Sequence, residues 1–152
     1  MRFRTDIPLF CDFFDQYGER INAMNEVDDN EILIVTPEMF LASTMFYGKR
    51  NEYFLCNGNM RPKAVGYNAE NCNRIGLTTL ERYAMIAHEL GHLFLVTDET
   101  DLQKELRADE MACRLGLRDA MRTGLEKILA DNLDEETIEQ IRNRIDTLSE
   151  DE

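Results

Sequence analysis

The sequence predicts an α+β domain, on three observations. Aromatic and aliphatic residues recur at helical spacing near the N-terminus. Short β-prone runs separated by Gly and Asn turns occupy the stretch up to about residue 77, and from Thr79 onward the chain reads as capped helices with no further strand pattern. A chain of 152 residues can bury one core without staples and is short for two, so residues 1–152 are read as a single domain.

Asp6 followed by Pro8 marks a helix start, after which Phe10, Phe13, Phe14, Tyr17, Ile21 and Met24 fall on one helical face. The segment EVDDNE ends that helix, and EILIVT (31–36) is a short β-prone run. Thr36-Pro37-Glu38 either opens a short helix or ends the strand. TMFYGKRNEYFLCNGN reads as two strands around the turn at 48–51, and AVGYNAENCNRIGL as two more around Asn68 to Asn71. The expected sheet is therefore small and mainly antiparallel.

Thr78-Thr79-Leu80-Glu81 fits a capping box and opens a helix running from Thr79 to about Val96. Thr100 and Gln103 cap the next one, from about Asp101 to Leu115, with Gly116 as its stop. Two further helical stretches follow, at about 118–131 and 134–148. The last lies in an acidic C-terminal segment (132–152), and its narrow stripe of Ile138, Ile141, Ile145 and Leu148 either packs on the domain or meets a partner helix.

The net charge of −13 is uneven: residues 1–75 carry 8 basic and 11 acidic side chains, residues 76–152 carry 9 and 19. Such a surface repels a phosphate backbone, which argues against direct nucleic-acid binding. No apolar run approaches the roughly 18 residues that span a bilayer, and the N-terminal apolar stretch is broken by Asp12 and Asp15, unlike a signal peptide. The expectation is a soluble, cytoplasmic protein. Cys11, Cys56, Cys72 and Cys113 are widely spaced without a CxxC pair, and read as buried free thiols.

Both histidines of the chain lie in AHELGHLFL, residues 87–95. On a helix, His88 and His92 face the same way and can offer two nitrogens to one ion, at about 2.0 Å each, which makes half of a tetrahedral zinc site. Glu89 stands about 100° round the helix, beside the ion, where it can serve as general base. The third ligand must be a carboxylate or thiolate. Glu105-Leu106-Arg107-Ala108-Asp109 supplies two carboxylates one turn apart: Glu105 to ligate, and Asp109 to accept the other N–H of a histidine. Asp109, Asp101, Glu99 and Asp98 are the alternative ligands. Ala84, Ala87 and Gly91 on one helix, and Ala108, Ala112 and Gly116 on the next, form small faces that permit close packing. A Gly inside a helix costs about 1 kcal/mol relative to Ala, and close approach is a reason to tolerate it.

The pattern His88-Glu89-x-x-His92 followed by Glu105-x-x-x-Asp109 resembles the gluzincin metallopeptidases. MIAHELGHLFL with ELRADEMA resembles most nearly the small ImmA/IrrE-like proteases, in which a helix and a small sheet precede the HELGH helix. The likeness covers roughly residues 60–115 by motif. It implies a zincin-like minimal metallopeptidase domain holding one catalytic zinc, with His88, His92 and Glu105 as ligands, Glu89 as base and Asp109 supporting a histidine. It further implies hydrolysis of a peptide bond by zinc-bound water, on a protein or peptide substrate such as a helix-turn-helix repressor. Relatives use an additional histidine on the oxyanion, which this chain lacks; Tyr53, Tyr67 and Tyr83 are the available substitutes. NRIGL (73–77) is the expected edge strand for an extended substrate. Two other readings stand beside the enzyme. One is a zinc-binding regulatory or partner-binding protein with little hydrolysis, the other a precursor whose N-terminal helix or acidic tail covers the cleft.

Overall fold

The computed structural model describes residues 1–28, 31–37, 53–59, 62–131 and 133–150. Strand β1 (Arg2–Arg4) leads into helix α1 (Pro8–Asn22), followed by β2 (Ile32–Pro37), β3 (Phe54–Asn57) and β4 (Lys63–Tyr67). Five helices complete the chain: α2 (Ala69–Arg74), α3 (Thr79–Phe94), α4 (Asp101–Arg114), α5 (Arg118–Leu129) and α6 (Glu135–Ser149). The architecture is α+β, and among the described residues no helix is long and apolar enough to cross a membrane.

The sheet is mixed, in the order β1-β2-β4-β3. Among the described residues it is not mainly antiparallel: β1 pairs with β2 and β2 with β4 in parallel, and only β3 and β4 run antiparallel. The physical reason lies in the connections. Parallel neighbours need a crossover, and α1 provides one between β1 and β2. Three residues are too few for β1 to display an alternating pattern, and all three are exposed. What fixes the strand is its pairing and the stacking of Phe3 on Phe14, with ring centroids 4.0 Å apart.

Two other expectations change. Within AVGYNAENCNRIGL only Lys63–Tyr67 is a strand. The Asn68 side chain accepts from the amide of Asn71 at 2.9 Å, so it caps α2 instead of turning a hairpin. NRIGL is accordingly no strand: Asn73 and Arg74 end α2, and Gly76 takes a φ of 75° in the turn that follows. Of the two strands expected around residues 48–51, the second is β3 and the first lies outside the described residues. Pro37 ends β2.

The helix boundaries follow the caps. Thr78 Oγ1 accepts from the Glu81 amide at 3.2 Å, and Glu81 Oε1 accepts from the Thr78 amide at 2.8 Å. Glu81 also receives Lys127 Nζ at 2.6 Å, which ties α5 to the first turn of α3. Thr100 and Asp134 cap α4 and α6 more simply, each side chain accepting from one amide, that of Gln103 and that of Thr137. Gly116, just past α4, adopts a φ of 79°, which favours glycine. Asp6 does not cap α1; Pro8 at its first position suits the helix start without a side-chain bond.

Helix α3 is the centre of the molecule. Ala84, Ile86, Ala87 and Leu90 are fully buried, in one apolar cluster with Phe10, Phe13 and Ile21 of α1, Leu33 and Val65 of the sheet, and Met111, Met121 and Leu125 of the later helices. Its small face meets that of α4. A Cβ added at Gly91 would lie 2.5 Å from the carbonyl oxygen and 2.7 Å from the Cα of Ala108. Gly91 is therefore the point at which the two backbones touch. Gly91→Ala is expected to destabilise the metal-free protein by about 1–3 kcal/mol, as overpacking does, although alanine is the better helix former. Urea unfolding measures this, and an equal or higher midpoint would show that the helices separate without cost.

Candidate metal centre

The close approach at Gly91 and Ala108 brings the functional residues together, because Ala108 lies between Glu105 and Asp109 on α4. Glu105 Oε2 stands 2.9 Å from His88 Nε2 and 2.9 Å from His92 Nε2. The ligand atoms of His88, His92 and Glu105 all lie within 4.8 Å of one another. Ligands of a tetrahedral zinc at about 2.0 Å are about 3.3 Å apart, so small side-chain shifts convert the observed spacing into a coordination shell. Two imidazole nitrogens and a carboxylate oxygen are a donor set that zinc accepts, and the trio can hold such an ion. The alternatives Asp101, Glu99 and Asp98 are not part of this group, and Asp109 has another partner.

Asp109 is buried, with Oδ1 2.7 Å from His88 Nδ1. An ionised carboxylate only accepts, so Nδ1 carries the proton and donates it, which turns Nε2 toward Glu105. The same carboxylate is gripped by Arg144 of α6: Nε donates to Oδ2 at 2.9 Å and Nη2 to Oδ1 at 2.8 Å. Nη2 also lies 3.2 Å from His88 Nδ1, an approach of two donors that share Oδ1. Nη1 has no partner among the described residues. Arg144 is 8% exposed, so a full positive charge is enclosed here and stabilised by its bidentate carboxylate.

These neighbours separate the carboxylates electrically. Burial by itself would raise the pKa of Glu105 and of Asp109. For Glu105 the hydrogen bonds from His88 and His92 outweigh burial and hold its carboxyl far below the usual range. For Asp109 the Arg144 charge and the bond from His88 have the same effect. Burial and the Arg144 charge depress His88, but Asp109 and Glu105 prevail and raise it to about 9. Glu89 shifts the other way. It is half-buried, and burial raises its pKa against the lowering by the His88 and His92 charges. A carboxylate so raised holds a proton more readily than an ordinary glutamate, which suits a group that must take up a proton and pass it on.

Glu89 opens on a cavity of about 200 Å³ lined by His88, Glu105 and Arg144 on its polar side, and by Phe54, Met85 and Leu125 among its apolar residues. Cys56 of β3 interacts with Glu89; burial, then the Glu89 charge and their hydrogen bond, push its thiol far up, so it stays protonated. Of the four free cysteines only Cys72 is fully buried, while Cys11, Cys56 and Cys113 are half-buried. The three candidate tyrosine hydroxyls are engaged elsewhere. Tyr53 donates to Asp131, Tyr67 accepts from Arg82 Nη1 at 2.7 Å, and Tyr83 accepts from Gln16 Nε2 at 3.3 Å.

Arg144 is the residue that sequence reasoning missed. It lies three residues after Ile141 and four before Leu148, both buried, and an arginine on the core side of an apolar stripe was the available sign. α6 therefore does more than cover: it contributes a side chain to the centre, and no residue of α1 lines the cavity. Neither a protein-family model, nor a curated protein, nor a solved structure matches the chain.

Asp109→Ala is expected to cost about 3–5 kcal/mol, because it leaves the Arg144 charge buried without its partner. Since folding lowers the pKa of Asp109 below its ordinary 3.8, the stabilisation from this carboxylate is present above that value and lost as the pH falls through the folded-state pKa. The stability gap between wild type and variant, followed by denaturant unfolding, should narrow under acid.

Proposed function

We propose that the protein is a zinc-dependent metallopeptidase of the gluzincin type, built on a zincin-like domain, with His88, His92 and Glu105 holding the ion. The observation that supports this best is the convergence of the three ligand atoms beside a raised-pKa Glu89 that lines a cavity. A purely structural zinc site closes its fourth position with protein and needs no base.

When bound, zinc supplies Lewis-acid chemistry, polarising the scissile carbonyl and acidifying the attacking water. Glu89 takes the proton from that water as its oxygen joins the carbonyl carbon, then delivers it to the amine nitrogen as the C–N bond breaks. Asp109 holds the Nδ1 proton of His88, so Nε2 is the nitrogen that would ligate once it gives up the proton it shares with Glu105. An extended substrate would lie along β3, which carries Cys56 against Glu89. Main-chain hydrogen bonds to that strand would hold a peptide in register, with side chains reaching the apolar wall of Phe54, Met85 and Leu125. Substrate identity, a helix-turn-helix repressor included, is a further part of the proposal, and the acidic surface favours a basic protein.

Metal analysis of the purified protein is expected to find about one zinc per chain, with a loss of thermal stability on chelation. A metal-free protein whose melting is indifferent to chelator would remove the site. Glu89→Gln should retain zinc and lose peptide cleavage by at least about 100-fold. Equal cleavage would exclude Glu89 as the base, and zinc binding without cleavage of any peptide by the wild type would leave a zinc-holding partner-binding protein.

A further inference from the structure

We infer that Arg144 is a positioning residue for the metal ion: by gripping both oxygens of Asp109 it fixes the acceptor that orients His88, so that α6 is a working part of the centre. The inference rests on the zinc site proposed above and adds to it a residue outside the motif helices, on the element that sequence reading treated as an acidic tail.

The chain of contacts runs Arg144 Nε and Nη2 to Asp109 at 2.9 and 2.8 Å, Asp109 Oδ1 to His88 Nδ1 at 2.7 Å, and His88 Nε2 to the position shared with Glu105 at 2.9 Å. Each link is directional. A carboxylate can rotate about its Cβ–Cγ bond, and with His88 as its only partner Asp109 would be free to swing. The planar fork of an arginine removes that freedom, because two parallel N–H donors fit the carboxylate in one orientation. A lysine supplies the charge and not the fork. Partners of ligating side chains commonly change metal affinity by about 10–100-fold when removed. Here that effect passes through two links.

An ion pair that only fastens α4 to α6 would share this geometry, so the test must read the metal. Zinc affinity of the full chain is measured by competition with a chromophoric chelator for wild type, Arg144→Met, Arg144→Lys, Asp109→Asn and the Arg144→Met/Asp109→Asn pair. Arg144→Met is expected to weaken zinc binding by about 10–100-fold, with Arg144→Lys between it and wild type. In the Asp109→Asn background, Arg144→Met should cause no further loss, since its effect is transmitted through the carboxylate. The double variant removes both buried charges together, which keeps the comparison available if Arg144→Met alone folds poorly.

Lowered melting temperature with unchanged zinc affinity in Arg144→Met would overturn the inference and leave a fastening role. Losses that add in the double variant would overturn it as well. A wild type that binds no zinc would remove the proposed function and this inference together, whereas a zinc-binding wild type with an equally tight Arg144→Met removes the inference alone.

Discussion

The contact between the backbones of α3 and α4 at Gly91 and Ala108 sets the geometry on which the centre depends. Any side chain at position 91 would collide with the Ala108 main chain, and glycine alone permits that separation. Ala108 follows Glu105 by three residues and precedes Asp109 by one. Bringing its backbone against Gly91, one residue before His92, therefore delivers both carboxylates to the two histidines. Helix spacing by itself would place His88 and His92 on one face, but the distance across to the partner helix decides whether Glu105 can share their ion. Packing of the smallest residues and chemistry of the charged ones are in this way the same design decision.

A second constraint is electrostatic. The buried Asp109 is surrounded by one donor from His88 and two from Arg144. A buried ion pair is weak evidence for stability, since desolvation offsets most of the attraction. Its value here lies in direction: a charged, doubly hydrogen-bonded carboxylate cannot reverse the roles of the two nitrogens of His88. Placing the arginine on α6 makes that direction conditional on the last helix being docked. α6 brings a cation to the cavity wall and closes a chain of bonds that ends at His88.

Much of the helical half of the fold is legible in the sequence because its boundaries are written in local chemistry. Thr78 with Glu81, Thr100, and Gly116 mark helix ends through hydrogen bonds and a positive φ that involve only neighbouring residues. The four residues His88, Glu89, His92 and Glu105 are legible for the same reason, as spacings along two helices. The sheet is less so. β1 acquires its structure from a partner thirty residues away, and three residues carry no pattern to announce it. Asn68 was ambiguous because the same side-chain acceptor serves a turn and a helix cap. Arg144 is the instructive case: its partner is thirty-five residues distant, and on a helix rich in charge an arginine reads as surface until its position relative to Ile141 and Leu148 is weighed.

The two glutamates of the centre show how identical side chains receive different tasks. Glu105 takes hydrogen bonds from two imidazoles and is held ionised, the state a ligand requires. Glu89 faces apolar walls, and burial outweighs the lowering by the two histidine charges and the Cys56 hydrogen bond, so its proton is held more tightly. Environments that drive two carboxyl pKa values apart are how one site assigns an acid–base role to one group and a fixed charge to the other. The separation does not come from the helix that carries Glu89. It comes from enclosure, to which Phe54 of β3 and Met121, Leu125 and Ile128 of α5 contribute by lining the same cavity, while the Cys56 hydrogen bond acts the other way. A metal site could be assembled from α3 and α4 alone, but the enclosure of Glu89 needs β3 and α5 as well. For that reason the whole domain, and not the motif, is the unit that carries the proposed chemistry.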